Sequence, residues 1–122
     1  MATFTISNNT GAELRITKVE VKGPRWSGLD SDAFVPGGWM PQPGDTLDSG
    51  KTYGLTNWGP DSPEVRITAA DISGRALEFG TKVADFWGSA GFTGIHSEYF
   101  EVSGVVDDPR FPDKATIRIG NR

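Results

Sequence analysis

The chain has 122 residues, a formal net charge of −4, no cysteine, and 36% hydrophobic and 11% aromatic residues. This length predicts a single domain over residues 1–122 with one hydrophobic core. The absence of cysteine excludes disulfides, thiolate metal sites and cysteine nucleophiles. Acidic and basic residues are dispersed without a basic block, so the charge argues against a nucleic-acid partner and against attraction to anionic membranes.

The sequence also argues against membrane insertion and secretion. No apolar run approaches the roughly 18 to 20 residues that a membrane-spanning helix needs. Residues 1–9 lack the basic start and apolar stretch of a secretory signal. We therefore expect a soluble protein made without a signal peptide, either cytoplasmic or released. Asn8-Asn9-Thr10 fits a glycosylation sequon, but without a secretion signal we do not expect it to be used.

The first segment predicts a β-hairpin over residues 3–22. Residues 3–7 alternate apolar and polar side chains with the period of two that is typical of a half-buried strand. Asparagine and glycine at 8–11 predict the turn. On the second strand the apolar positions change phase after Ile16, which predicts a β-bulge near 17–18.

The middle of the chain predicts a long loop followed by short strands. Residues 23–44 contain prolines, glycines and two tryptophans without a sustained period, which predicts an ordered loop with a short strand at 33–35. Two short strands are expected on either side of the turn at 48–50. Residues 64–80 predict the clearest hairpin, because apolar residues alternate on both sides of Ser73-Gly74.

The final third predicts two further strands. One lies within residues 95–104 and carries aromatic residues on both faces, and the other lies at 114–120 with Ala115, Ile117 and Ile119 on one side. Seven to nine short strands with frequent turns, sixteen glycines, eight prolines and no helical period predict an all-β fold. We expect an antiparallel β-sandwich without internal repeats or a domain linker.

Few residues offer catalytic or metal-binding chemistry. His96 is the only histidine, so no second histidine or cysteine completes a nucleophilic or ligand set, and we interpret it as an exposed or hydrogen-bonded strand residue. Asp107-Asp108, or Glu98 and Glu101, could in principle serve as paired carboxylates acting on a glycoside, but we interpret Asp107-Asp108 as a solvated turn. Residues 28–33 contain alternate carboxylates but no complete calcium loop. We expect no enzymatic activity and no cofactor.

The aromatic residues are the most informative set. Seven fall in loop-like segments near glycine or proline, namely Trp26, Phe34, Trp39, Trp58, Phe86, Trp87 and Phe92. Apolar rings on loops are typical of binding sites, and tryptophan favours a membrane interface. Loop aromatics also cover the open end of a small sandwich, so we expect roughly half of them to be structural. In ADFWGSAGFTG (84–94), three rings lie among three glycines, a segment too flexible for the interior of a strand.

Several short segments of the chain together suggest a resemblance to a known family. They are FTISNNTGAEL (4–14), GPRW (23–26), DFWGSAG (85–91) before SEYFEVSG (97–104), and ATIRI (115–119). In this order the chain resembles the aegerolysin superfamily, and more closely its bacterial small-subunit insecticidal proteins. It lacks the cysteines of the fungal members, and it has Trp-Ser-Gly where many members have Trp-Gly-Lys.

The resemblance implies a β-sandwich that recognises membrane lipid, often sphingolipid, and permeabilises membranes together with a larger partner protein. It implies that Phe86, Trp87 and Phe92 insert shallowly at a lipid interface, with Trp26 and Trp39 nearby. We therefore expect a non-enzymatic component of a pore-forming or insecticidal toxin that acts at a target membrane. Two alternatives stay open. One is a lectin-like carbohydrate-binding module, and the other is a structural protein whose exposed aromatics form the interface of a homo-oligomer.

Overall fold

The computed structural model describes residues 1–22, 38–57, 64–85 and 88–122. Within these ranges the chain forms nine β-strands and no helix. The strands are β1 (Ala2–Asn8), β2 (Leu14–Lys22), β3 (Thr46–Leu47), β4 (Thr52–Asn57), β5 (Glu64–Ala70), β6 (Ala76–Val83), β7 (Ala90–His96), β8 (Phe100–Val106) and β9 (Lys114–Asn121). The predicted all-β fold is confirmed. The strand predicted at 33–35 lies outside the described residues.

The strands form two sheets. One has four strands in the order β4-β1-β9-β8, and the other has five strands in the order β3-β2-β5-β6-β7. Neighbouring strands are antiparallel with one exception, because β1 and β9 are parallel. This pair brings the first and last strands of the chain together at the centre of the four-stranded sheet.

The predicted hairpin over residues 3–22 is wrong, although both of its strands form. β1 pairs with β4 and β9, whereas β2 pairs with β3 and β5 in the other sheet. The predicted β-bulge is confirmed by a register shift between Ile16 and Lys18. The strands at 46–47 and 52–57 also lie in different sheets, while β5 and β6 form the predicted hairpin.

The hydrophobic core lies between the two sheets. Alternate residues of each long strand point inward, so that β1, β5 and β9 bury every second side chain. The four-stranded sheet contributes Phe4, Ile6 and Ile117, and the five-stranded sheet contributes Ile67 and Phe79, all fully buried. Burying a side chain of this size contributes about 1.5–3 kcal/mol relative to exposure. The sheets therefore form a sandwich around one filled core.

One end of the sandwich, called the Met1 end below, is defined by Met1, Asn57, Val83 and Gly88. Asn57 ends β4 opposite Ala2 of β1. Val83 ends β6 in the other sheet. A Cβ added to Gly88 would lie 3.1 Å from the Met1 carbonyl oxygen, so the β6–β7 connection contacts the amino terminus.

The opposite end, called the Asn8 end below, is defined by Asn8 and the turns at 71–75 and 97–99. The Ser97 hydroxyl donates to the Ala76 carbonyl at 3.0 Å, which joins the two turns. The Asn121 side chain donates to the carbonyl of Thr10, two residues after Asn8, at 2.8 Å.

A buried asparagine connects the two sheets at each end. Asn8 is fully buried, and its Oδ1 accepts bonds from the Thr10 amide and hydroxyl at 3.0 and 2.8 Å. Its Nδ2 donates to the carbonyls of Ala12 and Leu47 at 2.9 and 2.7 Å. At the other end, Asn57 and Thr81 exchange two hydrogen bonds at 3.0 and 2.8 Å. The buried sequon residue Asn8 is therefore inaccessible as a glycan acceptor in the folded protein.

The β5–β6 turn is organised by one carboxylate. The Asp71 side chain is 3% exposed and accepts bonds from the Ser73 and Arg75 amides and from Arg75 Nε, at 2.9, 3.0 and 2.8 Å. Burial raises the pKa of Asp71, but these bonds to Arg75 and Ser73 outweigh it and lower the pKa below its usual value. The ionised form of Asp71 therefore stabilises the folded turn.

We expect Asn8→Asp to lower the free energy of unfolding by at least about 2 kcal/mol, because a carboxylate oxygen would face the carbonyls that Nδ2 now bonds. Asn9→Asp is the matched control, since Asn9 is exposed and its side chain donates only a 3.3 Å bond to Ser7. Urea unfolding followed by tryptophan fluorescence measures both changes. Equal losses in the two variants would contradict the role assigned to Asn8.

We expect Asp71→Asn to be less stable than the parent protein at pH 7, with a difference that narrows as the pH falls below about 4. The sign follows from the lowered pKa, since the stabilisation exists while Asp71 is ionised and is lost as pH falls through its folded-state pKa. Thermal unfolding between pH 3 and 7 tests this. Glu13→Gln removes an exposed charge and serves as control. A difference independent of pH would contradict the assignment.

Candidate functional site

Several chain connections meet at the Met1 end. The connection after β2 begins there, because Lys22 pairs with Glu64 at the start of β5. The connection of residues 58–63 runs from Asn57 to Glu64, and the β6–β7 connection closes through the bond from Ala84 N to Ser89 O at 2.7 Å. The β8–β9 turn joins this group, since Ala90 N donates to Pro112 O at 2.7 Å.

Three of the five predicted lipid-contacting residues, Trp26, Phe86 and Trp87, lie outside the described residues. Their connections nevertheless have described flanks. The segment that contains Trp26 follows Lys22, and Phe86 and Trp87 stand between Asp85 and Gly88. Both flanks belong to the Met1 end, which is therefore the end from which these aromatic segments depart.

Phe92, the fourth predicted residue, packs against the core. It lies in β7, half-buried, with its ring edge-to-face against Phe4 at 5.7 Å between centroids. A Cβ added to Gly104 of β8 would lie 2.6 Å from Phe92 Cδ1, so the ring lies directly against the glycine backbone. β7 and β8 are edge strands of the two sheets. Phe92 thus closes the side of the sandwich between them.

The expectation that residues 90–94 are too flexible for a strand is wrong. β7 covers Ala90–His96. Its glycines permit close approach instead of disorder, because a Cβ on Gly91 would lie 3.0 Å from the Ala84 Cβ. Gly80 on the neighbouring strand is similar, since a Cβ there would collide with the Thr93 hydroxyl.

Trp39, the fifth predicted residue, packs on the opposite side. It is half-buried against the core, and its Nε1 donates to Asp45 Oδ2 at 3.3 Å. Its ring is tilted on Tyr53 of β4 at 5.8 Å, and the Tyr53 hydroxyl accepts a 2.7 Å bond from Asp48 N. The structure therefore does not bring Trp39 and Phe92 into one site.

Sequence reasoning missed two exposed apolar side chains at the Met1 end. Met1 is 62% and Phe111 is 55% exposed. Phe111 follows the Asp108-Arg110 pair, in which Asp108 accepts bonds from the Arg110 amide and guanidinium, both at 2.9 Å. These bonds lower the pKa of Asp108. The predicted solvated turn is confirmed. Phe111 was missed because prolines and charged residues flank it, whereas the other candidate rings were identified in segments that contain glycine.

The outer faces of both sheets are mostly polar, with Val105 of β8 as an exposed apolar side chain on the four-stranded sheet. On the five-stranded sheet, Arg66 contacts Glu64 at 3.0 Å and Glu78 at 3.3 Å. Burial raises the pKa of Glu64, but the hydrogen bonds from Arg66 and Thr93, together with the positive charges of Arg66 and Lys22, outweigh burial and lower that pKa. The four-stranded sheet presents a face of hydroxyl side chains, which are Thr3, Thr5, Ser7, Thr52, Thr56, Ser103 and Thr116.

Among the described residues, no group of three or more histidine, cysteine, aspartate or glutamate side chains is placed to hold a metal ion. His96 is exposed at the end of β7, as expected for a strand residue, and Asp107 accepts a 2.6 Å bond from the Thr116 hydroxyl. The carboxylates predicted at 28–33 lie outside the described residues. The described part of the chain contains no helix that is long and apolar enough to span a membrane.

Comparison of the chain with protein-family models, with curated proteins and with solved structures gives no match. The resemblance to aegerolysins stays a prediction from short motifs.

We expect Gly104→Ala to lower the free energy of unfolding by about 1–3 kcal/mol, because the new methyl group would collide with the Phe92 ring. Gly54→Ala is the matched control, since a Cβ there meets nothing within 4 Å. Urea unfolding measures both variants. Adding Phe92→Leu should restore part of the loss in a double-mutant cycle. Additive losses would show that Phe92 does not close this side of the core.

Proposed function

We propose that this protein binds membrane lipid through its Met1 end and acts as the recognition component of a pore-forming or insecticidal toxin. The observation that carries the proposal is that Lys22, Asn57, Asp85 and Gly88, the described flanks of the segments that contain Trp26, Trp58, Phe86 and Trp87, meet at that end beside the exposed side chains of Met1 and Phe111. Aromatic rings with one hydrated edge are favoured where lipid meets water.

The surfaces away from the ends support this choice. The outer face of one sheet carries ion pairs and that of the other carries hydroxyl groups. Inserting charged or hydroxyl groups into a bilayer brings no favourable free energy of apolar burial. The side chains of Trp39 and Phe92 pack against the core at the sides of the sandwich. Membrane contact is therefore assigned to side chains at the end of the sandwich and to the connections that leave it.

The charge distribution favours a neutral lipid. The chain has a net charge of −4, so long-range attraction to anionic headgroups is weak. Arg110, the basic residue next to Phe111, is held by Asp108 at 2.9 Å. A zwitterionic headgroup carries no net charge to repel. We propose a sphingolipid, whose amide and hydroxyl can bond to polar loop groups, as the resemblance implies.

The expected mode of binding is shallow. Apolar burial contributes about 25 cal/mol per Å², so two or three partly inserted rings supply about a few kcal/mol, enough for reversible attachment. Every described strand is paired in one of the two sheets, around a filled core. A domain that keeps this fold attaches without crossing the bilayer, and perforation is assigned to a larger partner protein.

Flotation with vesicles tests the lipid proposal. We expect binding to phosphatidylcholine vesicles that contain sphingomyelin and cholesterol, and weaker binding to vesicles with phosphatidylserine in place of sphingomyelin. Trp87→Ala and Phe111→Ser should each weaken binding by about three- to tenfold, because each removes one ring from the interface. Ile72→Ser is the matched control, since Ile72 is fully exposed at the opposite end.

Two outcomes would overturn the proposal. One is failure to float with any vesicle composition. The other is flotation that Ile72→Ser weakens while Trp87→Ala and Phe111→Ser leave it unchanged. Iodide quenching of tryptophan fluorescence adds a direct readout, because vesicles should shield rings at the Met1 end. Shielding that depends on protein concentration alone would instead favour the subunit-interface alternative.

A further inference from the structure

A shallow groove of about 330 Å³ lies at the Asn8 end, on the outer face of the five-stranded sheet. Its lining includes Thr68, Ala76, Glu78, His96, Glu98 and Tyr99. This volume is at the lower limit for small-molecule sites in proteins, which suits a ligand of one or two small rings.

The floor of the groove is a row of side chains on three adjacent strands. Thr68 of β5 is paired with Glu78 of β6, and Glu78 is paired with His96 of β7. Neighbouring strands lie about 4.8 Å apart, so hydroxyl, carboxylate and imidazole groups follow one another at nearly that interval. Ala76 lies two residues before Glu78 on the same face of β6, and its small side chain leaves space above the sheet.

One wall of the groove is the turn at 97–99, which is held firmly. The Ser97 hydroxyl accepts bonds from the amides of Tyr99 and Phe100 at 3.2 and 3.0 Å, and it donates to the Ala76 carbonyl at 3.0 Å. Arg122 Nη2 bonds the Ser97 carbonyl at 2.8 Å. These contacts fix the backbone while Tyr99 itself stays 50% exposed.

The other wall is the turn organised by Asp71. Gly74, which lines the groove, donates its amide to the Asp71 carbonyl at 3.0 Å. Both walls are therefore ordered before any ligand arrives. Binding to such a preformed site avoids the entropic cost of ordering loops.

The charges of the groove restrict its ligand. Glu78 and Glu98 both line the groove. Glu78 also forms an ion pair with Arg66, at 3.3 Å. Two carboxylates disfavour phosphate, sulfate or sialic acid by like-charge repulsion. The groove combines acceptors in Glu78 and Glu98 with groups in Thr68 and His96 that donate and accept. A sugar ring matches this combination of donors and acceptors, because each of its hydroxyl groups can both donate and accept a hydrogen bond.

We propose that the groove binds an uncharged pyranose at the end of a glycan. The Tyr99 ring packs on the apolar C–H face of the sugar, because the negative face of an aromatic ring attracts the positive edges of C–H groups. Thr68, His96 and Glu98 take the hydroxyls. A simple ammonium ligand has no acceptors and would leave the donors of Thr68 and His96 unused.

This site lies at the opposite end of the sandwich from the proposed lipid contact. It does not depend on the proposed function, and either can fail alone. In a protein attached through the Met1 end, the groove would face away from the bilayer, where glycans of the cell surface extend.

Titration of the ¹⁵N-labelled full chain tests the proposal. The probes are the methyl pyranosides of glucose, galactose, mannose and N-acetylglucosamine, with choline and inorganic phosphate as competing chemistries. We expect at least one glycoside to shift the amides of His96, Glu98 and Tyr99 saturably. The absence of saturable shifts at these amides from every glycoside would overturn the proposal, whether or not choline or phosphate shifts them. Glycoside shifts confined to other residues would also overturn it.

Variants locate the contact. Tyr99→Ala should weaken glycoside binding by at least about tenfold, Glu98→Gln by about threefold, and Tyr99→Phe should stay within about threefold because the ring is retained. Both side chains are exposed, so folding is expected to be preserved in all three variants and is checked by thermal unfolding. Val105→Ala, an exposed apolar residue on the outer face of the four-stranded sheet, is the matched control and should bind as the parent does. Undiminished binding by Tyr99→Ala would contradict the assigned contact.

Discussion

The sandwich depends on polar groups that connect its two sheets where the core ends. Asn8 and Asn57 both lie on the inner face of the four-stranded sheet, and both are fully buried. Asn8 bonds the Leu47 carbonyl of β3, and Asn57 bonds Thr81 of β6. An unpaired amide in either place would cost about 1–3 kcal/mol, so these bonds tolerate little displacement of one sheet over the other. They hold both ends of the molecule in fixed positions.

The sides of the sandwich are closed by aromatic rings. Phe92 lies between β7 and β8, and Trp39 lies beside β4, where it contacts Tyr53. Both rings are large enough to cover the gap that two edge strands leave. With the sides closed, the proposed ligand contacts lie at the Met1 end and in the groove on the outer face of the five-stranded sheet beside the Asn8 end. The Met1 end carries the exposed Met1 and Phe111, while the Asn8 end carries a groove lined mostly by polar residues with the exposed Tyr99, and the exposed Ile72 in the turn beside it.

Two ends with different chemistry suit a protein that meets two kinds of surface. Lipid contact at one end and sugar contact at the other would together select a membrane by its lipid and its glycan, each contributing modest affinity. Linked weak contacts multiply in effect when one scaffold presents both at once. The β-strands set the distance between the two ends, because both ends belong to the same two sheets.

The sequence by itself determined the elements that depend on local pattern. Alternation with a period of two located β1, β5 and β9, and the phase change after Ile16 located the bulge. Only the tertiary structure decided which strands pair, because an alternating strand looks the same in either sheet; β1 and β2 were therefore wrongly predicted as a hairpin. The tertiary structure also decided which glycines permit close packing and which aromatic rings cover the core. Gly104 is small because Phe92 lies against it, and that contact joins residues distant in sequence, which no local pattern records.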